Sequence, residues 1–117
     1  MKRLRVYIAG PYTVGDPIQN IAGALDMGDK VLLLGHTPFI PHTNMLWHFR
    51  RPHTPDIWYR WDNEWLKVCD VLLRIPGESP GADAEVRLAV QLRIPVCYSL
   101  EDLEVLLLRN SVKRKRG

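Results

Sequence analysis

The chain has 117 residues, 46% of them hydrophobic and 25% charged, which points to one globular domain and excludes a disordered or fibrous chain. No apolar run approaches the roughly 20 residues needed to cross a bilayer, so no membrane-spanning helix is expected. The net charge of +3 is uneven: Lys113, Arg114, Lys115 and Arg116 hold four of the 16 basic residues, and without them 12 basic side chains face 13 acidic ones.

The basic balance therefore belongs to the end of the chain. We expect one domain over residues 1–110 and a disordered basic tail over 111–117, with no nucleic-acid partner for the domain. The start, Met1-Lys-Arg-Leu-Arg5, is basic but lacks the apolar region and small-residue cleavage site of a secretory signal. Cys69 and Cys97 form no CxxC pair and border apolar strands. Free buried thiols and a cytoplasmic location are the expectation.

Arg3 to Ala9 reads as the first strand, with Val6, Tyr7 and Ile8 suited to a buried pleat. Gly10-Pro11 ends it, because Pro11 has no N–H for a ladder. Asp16-Pro17 is a helix start with Asp at the N-cap and Pro at the first helical position. Ile18, Ile21, Ala22, Leu25, Gly28 and Leu32 recur at helical spacing, and Gly35 is the stop. Thr37 to Ile40 is a short second strand.

Pro41 to Pro55 reads as a long loop holding His42, His48, His53, Trp47, Arg50 and Arg51. A helix follows from about Asp56, with Trp58, Trp61 and Trp65 on one face, as for core packing or an interface between copies. Asp70 to Ile75 is the third strand. Pro76 to Pro80 is a turn, and a helix from Gly81 to about Leu92 turns Ala82, Val86, Ala89 and Val90 inward. Ile94 to Tyr98 is the fourth strand. Ser99 caps a last helix with Asp102 in the box position and an apolar face of Leu100, Leu103, Leu106 and Leu107.

This alternation predicts an α/β fold: a small doubly wound parallel sheet, Rossmann-like or flavodoxin-like, of four to five strands with helices on both faces. Ligands in such sheets bind beyond the carboxyl ends of the strands, at the switch point. Gly10, Pro11 and Tyr12, the loop after Ile40, and Pro76 to Glu85 are thereby brought to one edge. There Glu85 falls in the first turns of a helix and Ser79 six residues earlier. A helix start has free N–H groups and the positive end of the dipole, so it can hold an anion. On spacing alone, a plain βα turn with a surface glutamate is the favoured reading.

The ordered set of segments resembles the nucleoside 2-deoxyribosyltransferase superfamily, and in its motifs the small nucleoside 5′-monophosphate N-glycosidases. The segments are Val6-Tyr7-Ile8-Ala9-Gly10-Pro11, Trp61-Asp62-Asn63-Glu64, Cys69-Asp70, Ser79-Pro-Gly81-Ala-Asp-Ala-Glu85 and Ile94-Pro95-Val96, together covering residues 3 to 98. The resemblance implies Glu85 as nucleophile, Asp62 as the group that protonates or orients the base, and Tyr7 as the residue that positions the nucleophile. It implies substrate or phosphate binding by Ser79, Gly81, Gly10, Pro11, His42 and Asn63. Relatives that act on nucleosides tend to have Asp where this chain has Ser79, so a nucleoside 5′-monophosphate is the implied substrate. No cofactor or metal is implied, and a homodimer or larger homo-oligomer is. The chain departs from the pattern at Arg87, where the family usually has glycine.

The chemistry asks for the same groups. Cleaving an N-glycosidic bond builds positive charge on the sugar, which a carboxylate can capture at C1′. The leaving base needs a proton from a second group. A non-catalytic nucleotide-binding domain is the alternative. A metal centre of His36, His42, His48 and His53 is disfavoured by their spacing. A dinucleotide site is disfavoured by the missing G-x-G-x-x-G. Single-strand binding by the Trp-rich helix and the tail is disfavoured by the acidic domain.

Overall fold

The computed structural model describes the backbone of residues 3–116 and the side chains of residues 3–109. In chain order the elements are β1 (Arg5–Ala9), α1 (Pro17–Leu33), β2 (Thr37–Phe39), a 3-10 turn (Pro41–Thr43), α2 (Asn44–Arg50), α3 (Pro55–Leu66), β3 (Val71–Arg74), α4 (Pro80–Gln91), β4 (Val96–Cys97) and α5 (Leu100–Arg116). The bounds of α5 include the basic run that the sequence reading leaves as a tail. No helix among the described residues is long and apolar enough to cross a membrane.

The four strands form one parallel sheet in the order β2-β1-β3-β4. This is the flavodoxin-like doubly wound order with four strands. Alternation along β1 explains the two layers. Val6 and Ile8 point to one face and join Ala24 and Val31 of α1 and Leu103 of α5. Tyr7 and Ala9 point to the other and join Leu66 of α3 and Ala82 and Ala89 of α4. Cys69 and Cys97 are free thiols in these two separate clusters.

The helix starts follow local chemistry. Asp16 accepts the N–H groups of Ile18 and Gln19 at 2.9 and 3.4 Å. Ser99 accepts the N–H of Asp102 at 3.0 Å, and the Asp102 carboxylate takes the N–H of Tyr98 at 2.9 Å. Two features differ from the sequence reading. The expected loop after Pro41 contains α2, because Asn44 to Arg50 holds neither Gly nor Pro to stop a helix. The sheet-facing side of α1 is Ala24, Gly28 and Val31, while Ile18 and Leu32 face out. Small residues are needed there because a Cβ on Gly28 would lie 2.3 Å from Ile40 Cδ1. Val90 on α4 also faces solvent instead of the core.

Candidate active site

The chain leaves β1 toward β2 on one side and later enters β3 on the other. The switch point therefore lies between the carboxyl ends of β1 and β3, where side chains converge without blocking one another. A cleft of about 550 Å³ opens there. Gly10, His42, Asp62, Ser79, Gly81 and Glu85 line it.

Tyr7 is fully buried in β1, and its hydroxyl donates to Glu85 Oε2 on α4. Burial, and then the charge of Glu85, hold the Tyr7 hydroxyl well above its ordinary pKa, so it stays a donor. Glu85 itself is pushed up to about 7, first by burial and further by the charge of Asp62, against the opposing pull of the Tyr7 hydrogen bond and Arg74. Asp62, on α3, is pushed up to about 7 by burial, while the bond from Asn44 pulls the other way. Asn44 Nδ2 donates to Asp62 Oδ1 at 2.9 Å, which leaves Oδ2 to carry a proton. Burial is thus the main cause of both shifts, ahead of carboxylate pairing.

Ser79 is the N-cap of α4. Its Oγ accepts the N–H of Ala82 at 3.0 Å, and its proton has only a long 3.5 Å contact to the Gly10 carbonyl. Pro80 has no N–H, and the N–H of Asp83 goes to the Ser79 carbonyl. The hydroxyl proton of Ser79 and the N–H of Gly81 are the donors this helix start offers the cleft. Among the described residues, no Lys or Arg lines the cleft.

Pro11 and Asn63 do not line the cleft. The Pro11 carbonyl accepts His42 Nε2–H at 2.9 Å, so Pro11 fixes the His42 ring from behind. Its ring also packs toward Gly77, where a Cβ would meet Pro11 Cγ at 2.6 Å. Asn63 is displaced for a helical reason: neighbours on a helix do not share a face, so Asp62 facing the cleft turns Asn63 away. Asn44 supplies the amide instead. His36 lies at the far end of the sheet, where its Nδ1 accepts the Leu4 N–H at 3.1 Å. Among the described residues no cluster of three His, Cys, Asp or Glu side chains is arranged to hold a metal ion. Arg87 is exposed on α4, so the departure from the resembled pattern faces solvent.

The sequence reading also passes over Arg74 and the aromatic wall. Arg74 is buried at the end of β3, donates to the carbonyls of Ile75 and Gly77, and pairs with Asp83 at 2.9 Å. It clips the β3–α4 turn that aims α4. A charged residue closing the apolar run Val71-Leu-Leu is the signal that marks it. The wall consists of His48, His53, Trp58 and Tyr59, brought to the cleft by α2, α3 and the segment between them. Trp47 meets Trp58 and Trp61 edge to face, each at 5.1 Å, and braces these helices.

The sheet order and the cleft at its switch point define a doubly wound α/β fold with a ligand-sized cleft at the carboxyl ends of its strands. A particular solved structure with this fold is a 2-deoxyribosyltransferase from the psychrotolerant bacterium Bacillus psychrosaccharolyticus. It matches 79% of this chain and 69% of its own length, with a TM-score of 0.57 and 22% sequence identity. At that identity the likeness is one of fold. No protein-family model matches the chain, and no curated protein matches it.

Proposed function

We propose that the cleft cleaves the N-glycosidic bond of a nucleoside or nucleoside 5′-monophosphate, passing the sugar to water or to a second base. The observation that carries the reading is the hydrogen bond from the buried Tyr7 to Glu85, a residue lining the cleft together with the half-buried carboxyl of Asp62. Glu85, whose ionised form the Tyr7 hydroxyl favours, attacks C1′. The C1′–N bond breaks, and its electron pair leaves with the base. Asp62, protonated near neutral pH, gives that base its proton. Water or an incoming base then attacks C1′ and loses a proton to the Asp62 carboxylate, and Glu85 departs unchanged. A 5′-phosphate on the substrate would meet the Ser79 hydroxyl and the Gly81 N–H, a pair of donors that needs no metal. The solved 2-deoxyribosyltransferase with this fold supports the sugar-transfer class.

The test is incubation of the purified protein with ribo- and deoxyribonucleosides and their 5′-monophosphates, following free base by chromatography. The expected result is release of one base by the parent and none by Glu85→Ala. No release from any of them, together with thermal stabilisation by the same compounds, would replace the reading with a nucleotide-binding domain.

A further inference from the structure

His48 on α2 lines the cleft. Trp58 Nε1–H donates to its Nδ1 at 2.9 Å, and the backbone N–H of His53 reaches the same nitrogen at 3.3 Å. Indole and amide N–H groups only donate, so Nδ1 must present a lone pair. The proton of the neutral ring therefore sits on Nε2. Among the described residues that Nε2 has no hydrogen-bond partner, and it is not enclosed: the enclosed ring nitrogens without a partner are His36 Nε2 and His42 Nδ1. His42 differs from His48 in kind. Its Nε2–H is already engaged by the Pro11 carbonyl, so its proton is not on offer.

The ring of His48 is also held in place. It meets Trp58 edge to face at 6.0 Å, and Trp58 meets His53 at 5.6 Å. This wall is aromatic, which suits the face of a nucleobase, while Asp62, Glu85 and Ser79 supply the polar groups a sugar or phosphate requires.

We propose that His48 reads the base, donating Nε2–H to an acceptor atom of the nucleobase, a ring nitrogen or an exocyclic carbonyl. Trp58 is a positioning residue that fixes the tautomer. The inference rests on the N-glycosidic reading of the cleft and adds to it the residue that recognises the leaving group. A fixed donor discriminates well, because a base lacking the matching acceptor leaves it unpaired.

The test measures binding, so it does not depend on turnover. Affinities of free bases and nucleosides are determined by calorimetry for the parent, His48→Phe and Trp58→Phe, each also carrying Glu85→Gln. Nitrogen-15 spectra of the histidine rings report the tautomer in the same samples. The expected result is a protonated Nε2 and bare Nδ1 at His48 in the parent. His48→Phe should lose about tenfold in affinity for the preferred base, the size of one hydrogen bond. Trp58→Phe should lose less and show a mixed tautomer. Equal affinities in the parent and His48→Phe, a protonated Nδ1, or no base bound by the parent would each overturn the proposal. Base binding that depends on His48 in a protein that releases no base would remove the N-glycosidic reading and leave His48 as a base-reading residue.

Discussion

The Tyr7 hydroxyl donates to Glu85 Oε2 across 78 residues of sequence, tying the central strand to the first turns of α4. Because Tyr7 stays protonated, the bond always favours the ionised form of Glu85. Tyr7→Phe should lower kcat by about tenfold to a hundredfold, the range for a hydrogen bond to a charged group. It should also move the acid limb of the pH–rate profile to higher pH. Rates of parent and variant across pH 5 to 9 check both effects.

The two carboxyl groups set a second expectation. Both are pushed up to about 7, and the proposed reaction requires Glu85 ionised and Asp62 protonated. The pair titrates together, so the profile should be bell-shaped with its maximum near neutrality. Asp62→Asn should lower the rate and remove the alkaline limb. An unchanged alkaline limb in that variant would assign the proton to another group.

Burial of Glu85 has a stability consequence of definite sign. Its pKa rises from 4.5 to about 7 on folding, so the folded chain binds the proton more tightly than the unfolded one. Its contribution is most favourable below about pH 4.5, declines between there and about pH 7, and is level above. Glu85→Gln should therefore raise the melting temperature at pH 8 by several degrees and leave it nearly unchanged at pH 4. Thermal unfolding at the two pH values checks this.

The turn before α4 gives a fourth expectation. Gly77 has φ +123°, a conformation side chains rarely adopt, and a Cβ there would lie 2.6 Å from Pro11 Cγ. Gly77→Ala should cost about 1–3 kcal/mol in denaturant unfolding. It should also reduce activity, because the same turn aims the helix that carries Ser79 and Glu85.

How far the sequence was legible depends on what each residue answers to. β1 and β3 were readable because a strand buried on both faces must be continuously apolar. The starts of α1 and α5 were readable because capping is local. The buried face of α1 was not, because Gly28 answers to Ile40 on another element and its role appears only once the two are packed. α2 was hidden by the prolines on either side and by histidines that read as loop residues. Within the site, the Asp62 and Glu85 segments were visible as motifs, whereas Asn44 and Arg74 act through partners 18 and 9 residues away. Asn63 enters the sequence reading with the resembled segment Trp61-Asp62-Asn63-Glu64, whereas nothing local marks Asn44.

The outer strands of the sheet are very short, and β2 has Pro38 at its centre. The Thr37 N–H points inward to the Leu4 carbonyl at 2.8 Å, so by alternation the position whose N–H would face outward is Pro38, which has none. That margin of the sheet offers no amide proton to an incoming strand. Growth by strand addition, the route to fibrils and to edge-paired chains, is closed on this side. On this margin the protection rests on a single ring in the backbone, and Pro38→Val is the change that would remove it.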